Sequence, residues 1–227
     1  MILTADGISK KFYRRKDKKQ FIEVVKTTSL QVCGGKITTV TGRSGSGKST
    51  LLYMLAGLLS PSTGQVLSEK GNLYTMNDRT LSRFRNKNMG IIPQGQTGLF
   101  ALSVLENVKV QAALYGSSDG IDERAYLLLE KLGIAHLADA RIPELSGGEL
   151  RRMAVARALV TKPAIILADE PTDDLDEENT VHVLELLRQT ADEGCAVFLV
   201  THEQKAKAVS DSVFTMENGN LTHSTIP

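Results

Sequence analysis

The sequence predicts an α/β fold with a parallel core sheet, a β-rich N-terminal part and an inserted α-helical subdomain. Short apolar segments rich in β-branched residues recur along the chain, with helical patterns between some of them. The segments 164–168 and 196–201 are almost continuously apolar, which is typical of strands buried on both faces of a parallel sheet. Between residues 104 and 160 the pattern is helical only, so this stretch is predicted to be an insert.

The individual segments predict five strands and four helices. The predicted strands are 24–32, 36–41, 89–93, 164–168 and 196–201. The predicted helices are 51–59, 122–132, 149–160 and 181–189. We expect one domain over 1–227, with a core made of 1–94 and 161–227 and a helical subdomain at 95–160. The basic run 14–19 is more simply interpreted as a solvated hairpin tip than as a binding patch.

The composition is that of an ordinary globular chain. It has 227 residues, is 41% hydrophobic and carries a formal net charge of +1, so no global field draws it to nucleic acid, and no nucleic-acid partner is expected. The longest apolar run, 51–59, is too short for the roughly 20 apolar residues that a membrane-spanning helix needs. We therefore expect a cytoplasmic protein, with Cys33 and Cys195 reduced and buried.

A glycine-rich motif lies between a predicted strand and a predicted helix. Its pattern is G-x-x-x-x-G-K-[ST], followed by one more hydroxyl residue. Glycines let backbone amides point at phosphates, the lysine reaches the β and γ oxygens, and the first hydroxyl ligates Mg2+. A chance glycine-rich turn would need neither the lysine nor that hydroxyl. The motif therefore predicts a P-loop core that binds a nucleoside triphosphate through Gly42, Arg43, Ser44, Gly45, Ser46, Gly47, Lys48, Ser49 and Thr50.

Two adjacent carboxylates follow the apolar segment 164–168. Asp169 and Glu170 are thereby predicted at the carboxyl end of a buried strand, where open α/β sheets bind their ligands. One acid can hold magnesium through water, and the other can polarise an attacking water. An isolated pair of acids would more simply mark a solvated loop. Together with the phosphate-binding motif, the pair indicates hydrolysis of the bound triphosphate.

A second glycine pair precedes the helical pattern at 149–160. Ser146 and Glu149 form an S-x-x-E capping box, which by itself only starts a helix. Gly147 and Gly148 cost roughly 1 kcal/mol each relative to alanine if they are helical. They are explained if a ligand must approach bare backbone amides at a helix N-terminus, which is an anion site.

With Leu145, these residues read Leu-Ser-Gly-Gly, and the chain resembles the ATP-binding cassette (ABC) subunits, in which this is the signature sequence. The resemblance covers essentially the whole length. Gln94, after the segment 89–93, is similar to the Q-loop glutamine, and His202, after 196–201, is similar to the switch histidine. Phe12 matches the aromatic residue that stacks on adenine, although Tyr13 could serve instead.

The resemblance implies ATP and Mg2+ as cofactors and assigns the site residues. Catalytic roles would fall to Lys48, Glu170 and His202, and magnesium binding to Ser49, Gln94 and Asp169. ATP would contact Phe12, the nine residues of the phosphate-binding motif, Gln94 and the four residues from Ser146 to Glu149. Two subunits, as a homodimer or a heterodimer, would enclose ATP between one subunit's phosphate loop and the other's signature.

The resemblance also implies a partner in the membrane. The stretches 45–52, 143–149 and 167–172 are most similar to subunits of lipoprotein-releasing, macrolide-efflux and antimicrobial-peptide-resistance transporters. We therefore expect an ATPase that powers a separate permease, peripheral on the cytoplasmic face of the cell membrane. Two alternatives stay open, a cell-division-type subunit that signals without transport and a soluble relative in DNA repair or translation.

Two features of the sequence each have two interpretations. Asp173 and Asp174 stand where related subunits usually carry small or neutral residues. They either favour the helix N-terminus near Glu177 or alter contacts across the dimer. Leu99, Phe100 and Leu102 follow Gln94 in an unusually apolar loop. They either fold inward onto the helical subdomain or line a groove that receives a permease helix.

Overall fold

The computed structural model describes residues 1–14, 17–95, 98–114 and 120–224, without the side chains of 14 and 17–19. The predicted solvated tip at 14–19 therefore lies outside the described side chains. The strands are β1 Ile2–Arg14, β2 Asp17–Cys33, β3 Ile37–Thr41, β4 Thr63–Ser68, β5 Gly71–Asn72, β6 Met89–Ile92, β7 Ile165–Asp169, β8 Ala196–Thr201, β9 Ser212–Glu217 and β10 Asn220–Ser224. The helices are α1 Lys48–Leu55, α2 Asp78–Asn88, α3 Val104–Ala113, α4 Ile121–Lys131, α5 Gly147–Leu159 and α6 Glu177–Asp192.

The strands form two sheets. The larger has six strands in the order β10-β9-β3-β8-β7-β6, and all neighbours from β9 to β6 are parallel. The smaller is antiparallel, with the order β2-β1-β4-β5. The predicted α/β fold, with a parallel core sheet and a β-rich N-terminal part, is confirmed.

Strands β7 and β8 are buried along their whole length, as their apolar sequences predict. Alternate residues of β7 face two different cores. Ile166 packs in a cluster with helices α3 to α6, whereas Ile165 and Leu167 pack in a cluster with α1, α2 and the antiparallel sheet. The parallel sheet is therefore the middle layer of three.

Among the residues that the structure describes, the α-helices α3 to α5 lie between β6 and β7 in the chain. Helix α3 begins with a capping box in which Ser103 and Glu106 exchange hydrogen bonds. Val108 of α3 and Leu129 of α4 share a core cluster with Val197 of β8, so the helical insert packs onto the main sheet. The domain boundaries at 94 and 160 remain a prediction.

Several predicted boundaries are wrong by a few residues. The helix after the phosphate-binding motif begins at Lys48, where the motif opens it, but ends at Leu55 and not at 59, because Gly57 takes a left-handed φ of 67° and closes the last turn. The strand expected at 24–32 is longer, since β2 pairs with β1 up to Asp17. Cys195 is buried as expected, but Cys33, the last residue of β2, is only partly buried.

Helix α5 and strand β6 approach each other closely. A Cβ at Gly90 of β6 would collide with the carbonyl oxygen of Ala158 in α5, so only glycine permits this contact. The buried Arg151 of α5 donates to the carbonyl oxygen of Pro93, 2.9 Å away, just after β6. Helix α5 is thus fixed to the strand that leads to Gln94.

No helix among the described residues is both long and apolar enough to span a bilayer.

Candidate functional site

The phosphate-binding motif forms a loop between β3 and α1. It borders a cavity of about 390 Å³. Gly47 has φ 109°, and a Cβ there would lie 2.5 Å from the carbonyl oxygen of Val24, so the loop requires glycine at this position. The cavity is lined by Val24, Gly42, Arg43, Ser44, Gly45, Gly47, Lys48, Ser49, Thr50, Gln94, Glu170, Asp173 and His202.

Lys48 is the buried cation of this cavity. Its Nζ donates to the carbonyl oxygens of Gly42 at 2.8 Å and Arg43 at 3.2 Å. It also lies 3.8 Å from Oε1 of Glu170, and both side chains are only 8% exposed. A buried ammonium group among loop carbonyls and amides is suited to phosphate oxygens. The predicted phosphate contact of Lys48 is therefore geometrically available.

Ser49 and Asp169 meet behind the loop. The Ser49 hydroxyl donates to Oδ1 of Asp169 at 3.1 Å. Burial raises the pKa of Asp169, and this hydrogen bond opposes the rise. Burial, the charge of Asp169 and a hydrogen bond to its side chain raise the pKa of Tyr53, so Tyr53 is a second polar neighbour of this carboxylate. A hydroxyl and a buried carboxylate beside the phosphate loop fit the oxygen ligands that Mg2+ requires.

Glu170 has hydrogen-bond donors at one carboxylate oxygen and a cation near the other. Oε2 accepts from the backbone N–H of His202 at 3.1 Å and from its Nδ1 at 3.0 Å, while Oε1 faces Lys48. The backbone of Glu170 has φ 49°, a conformation that costs energy for a residue with a side chain and that occurs often at active sites. The carboxylate and the histidine thus meet at the carboxyl ends of β7 and β8.

Asp173 also lines the cavity. Its Oδ1 lies 4.0 Å from Nδ1 of His202. Burial, followed by the charge of Glu170, raises the pKa of Asp173. Helix α6 is capped by Asp176, which accepts from Asn179 N at 2.8 Å, so Asp173 is not its N-cap, and the expected favourable charge of Asp173 near this helix N-terminus stays a prediction.

The sequence contained no signal for this placement of Asp173. It depends on the turn after Glu170, where the Asp173 N–H donates to the Glu170 carbonyl at 3.1 Å. Val24 is another lining residue that sequence reasoning missed. It enters the cavity because β2 of the antiparallel sheet runs past the phosphate loop, which no local pattern predicts.

Other predicted site residues lie elsewhere. Ser46 lines a neighbouring cavity, and Asp169 is fully buried behind Ser49. Phe12 and Tyr13 lie on β1, are 42% and 60% exposed, and are not among the residues that line the 390 Å³ cavity. Gln94, by contrast, is exposed and does line the 390 Å³ cavity.

The signature residues border a different cavity of about 520 Å³, beside Asp174 and Arg152. Ser146 caps α5. The backbone N–H and the hydroxyl of Ser146 both donate to Oε2 of Glu149, at 2.7 Å. The Ser146 bonds lower the pKa of Glu149, so the carboxylate serves the cap. Gly147 and Gly148 are the first two residues of α5 and line this cavity. It shares no lining residue with the cavity at the phosphate loop.

Comparison with known proteins decides the family. The family model described as ABC transporter matches residues 25–173, more than half of the chain. The chain belongs to the ABC transporter family. Together with the P-loop site, this membership makes it an ATP-hydrolysing subunit of a transporter.

Similar proteins cover nearly the whole chain. The lipoprotein-releasing system ATP-binding protein LolD of Shewanella sp. (strain MR-4) is 39% identical over 223 residues, which are 97% of this chain and 95% of that protein. LolD of Acinetobacter baylyi is 36% identical over 222 residues, 96% of each chain. The dimeric structure of a bacterial ABC transporter cassette has a TM-score of 0.91 and 27% identity, and 99% of each chain is covered. A dimeric post-hydrolysis structure of that cassette, bound to ADP and Pi, gives the same values.

Proposed function

We propose that the chain pairs with a second cassette around two ATP molecules and powers a separate membrane permease that extracts or exports lipid-linked or peptide substrates. Its similarity to LolD over 97% of the chain supports this branch of the family. The dimeric form of the similar cassette supports the pairing, and the two copies could be identical or related. The subunit would then work at the cytoplasmic face of the cell membrane.

The phosphate loop would bind the triphosphate. Lys48 would exchange its two carbonyl acceptors for β and γ oxygens, which carry more negative charge. Ser49, Asp169 and Gln94 would hold Mg2+, and their oxygen donors suit that ion. When bound, Mg2+ neutralises charge on the phosphate oxygens. Phe12 or Tyr13 would stack on the adenine from the edge of β1.

Glu170 would act as the general base towards the attacking water. The observation that carries this role is the position of its buried carboxylate in the cavity, between Lys48 at 3.8 Å and His202 at 3.0 Å. Glu170 would accept the proton of the water while Lys48 stabilises the charge on the γ-phosphate. His202 would contact that phosphate when it leaves Glu170.

Pairing would complete each ATP site. The signature of one chain lies in its own separate cavity, away from the phosphate loop. The bare amides at the start of α5 form an anion site with no phosphate ligand from the same chain. A second chain turned head to tail would bring its signature to the γ-phosphate of the first.

The permease would dock beside Gln94. Phe100 is 72% exposed and Leu99 is 48% exposed, so the interpretation of Phe100 as a core residue of the helical subdomain is wrong. Exposed apolar side chains in a loop favour an interaction surface. The alternative, a cell-division-type subunit that signals without transport, uses the same dimer and differs only in the absence of substrate movement.

The variant Glu170→Gln tests the site. It keeps the side-chain shape and loses the base, so we expect ATP binding to persist while hydrolysis becomes slower by about 100-fold or more. With ATP and magnesium the variant should elute as a dimer in size-exclusion chromatography. Glu185→Gln, an exposed glutamate on α6, is the matched control and should hydrolyse ATP normally. Normal turnover in Glu170→Gln would refute the assignment of the base.

A further inference from the structure

The phosphate loop carries a second cation besides Lys48. Arg43 is exposed and borders both the 390 Å³ cavity and the cavity next to it. Of the acids that line the larger cavity, Glu170 faces Lys48, and Asp173 lies beside His202. The ion pairs formed by the described residues do not include Arg43. Its guanidinium therefore lies at the ATP site as an exposed charge that can contact another molecule.

The cavity at the signature has the opposite charge. Its described lining includes two carboxylates, Asp174 and Asp176, and one guanidinium, Arg152. Asp176 accepts from Asn179 and so caps α6. Asp174 is exposed, and it is not among the residues that form ion pairs in the described part of the chain. A site proposed to receive a phosphate group thus has more negative than positive side chains.

The backbone keeps Asp174 at this cavity. Its φ is 64°, a left-handed conformation that aspartate adopts more readily than most residues. A Cβ at Gly148 would lie 3.0 Å from the carbonyl oxygen of Asp174. The turn that contains Asp174 is therefore in direct contact with the start of α5, and its charge belongs to the signature surface.

The proposed head-to-tail pairing brings the two cavities together. ATP would lie between the phosphate loop of one chain and the signature of the other, so Arg43 of one chain and Asp174 of the other would border the same closed site. Opposite charges that face each other across an interface attract and favour the correct partner. Because one chain carries both charges, a two-fold axis would form this contact twice.

We propose that Arg43 of each chain forms an ion pair with Asp174 of the other, and that these two ion pairs select a second copy of this chain as the partner in the dimer. The ion pair rests on the proposed head-to-tail pairing. An identical copy supplies the matching charge at both sites, whereas a cassette with neutral residues at these positions supplies none. The guanidinium also offsets the negative charge that Asp174 brings towards the γ-phosphate.

Charge reversal tests the ion pair in the full chain with ATP and magnesium. The background is Glu170→Gln, in which we expect ATP to persist and hold the dimer. Arg43→Glu places two carboxylates opposite each other at each site, and Asp174→Arg places two guanidinium groups there. Either reversal alone should weaken the dimer about tenfold or more, because both contacts become repulsive. Analytical ultracentrifugation measures the dissociation constant of the dimer.

A mixture of the two reversed chains gives the decisive result. In a dimer of one Arg43→Glu chain and one Asp174→Arg chain, opposite charges face each other at both sites. We therefore expect the mixture to recover the dimer, and native mass spectrometry should show that it contains one chain of each kind. A mixture that dimerises no better than either variant alone would overturn the proposal, since Asp174 would then act only within its own chain, beside Arg152.

Asp174→Asn provides an independent measurement if a reversed variant does not fold or does not bind ATP. Asparagine has nearly the same shape and also tolerates a left-handed backbone. We expect the dimer to weaken about fivefold, and its dissociation constant to depend less on salt concentration, because salt screens ion pairs. An unchanged or tighter dimer would overturn the proposal. Glu185→Gln, at an exposed acid on α6, is the control and should dimerise like the background.

The pairing and the ion pair fail in different ways. If Glu170→Gln stays monomeric with ATP and magnesium, the head-to-tail pairing is refuted, and the ion pair with it. If Glu170→Gln dimerises but the mixture of reversed chains does not recover, only the ion pair is refuted. The dimer would then have to be explained by the other contacts around ATP.

Discussion

Replacement of Phe100 tests whether its side chain belongs to a docking surface or to the core. Phe100 is 72% exposed, whereas Phe84 of α2 is 4% exposed, so the two phenylalanines form a matched pair. Phe100→Ala should cost the isolated chain little stability, and Phe84→Ala should cost much more. Phe100→Glu should leave stability and basal ATPase activity nearly unchanged and should abolish assembly with the permease.

The size of the difference follows from buried area. A phenylalanine side chain has roughly 200 Å² of surface, so the buried quarter or so of Phe100 is about 50 Å². At about 25 cal/mol per Å², this area contributes roughly 1.3 kcal/mol at most. Removal of a buried phenylalanine such as Phe84 costs about 3–5 kcal/mol.

Chemical denaturation of the purified chain measures both changes in the free energy of unfolding. Copurification with the coexpressed permease measures assembly. A loss of about 3 kcal/mol or more in Phe100→Ala would show that the side chain is part of the core. Normal assembly of Phe100→Glu would show that docking does not depend on this residue.

Two further predictions concern the phosphate loop and the acid stability of the fold. Lys48→Ala should lose ATPase activity and much of its ATP affinity, because the cation that faces the phosphates is gone; turnover assays and nucleotide titration measure both, and wild-type turnover would contradict the assignment. Partial burial raises the pKa of Asp211, but hydrogen bonds from Lys36, Ile37 N–H and Arg188 lower it overall from 3.8 to about 2. The stability that Asp211 contributes to the fold is present above pH 3.8 and is lost as the pH falls towards 2. The free energy of unfolding of Asp211→Asn, measured by denaturation, should therefore depend less on pH in this window than that of the wild type. An unchanged pH dependence would refute the contribution of Asp211.

The parallel core and the phosphate loop were predictable because their causes are local. β-Branched apolar runs specify β7 and β8, and the strand, glycines and lysine around Lys48 specify the loop. The capping box at Ser146 is likewise a local hydrogen-bond pattern, and it forms as predicted.

The remaining features depend on contacts between distant segments. The position of Asp173 depends on the turn after the left-handed Glu170, and its neighbour His202 comes from the end of a distant strand, β8. Val24 reaches the cavity only because the antiparallel sheet packs beside α1. The exposure of Phe100 depends on which helical surfaces the insert leaves uncovered, and the hydrophobicity of its loop agrees with either outcome.

The attachment of α5 to β6 couples the two ends of the helical insert. Gly90 and Ala158 are in contact without an intervening side chain. Arg151 donates a hydrogen bond to the carbonyl oxygen of Pro93, one residue before Gln94. In the proposed dimer, Gln94 would sense the ATP of its own chain, while the signature at the start of α5 would face the ATP of the other chain. A displacement of α5 at one nucleotide would then be transmitted to Gln94 at the other nucleotide. We therefore expect the two sites to bind ATP cooperatively, and the Hill coefficient for ATP should fall when Arg151 is replaced by a shorter side chain.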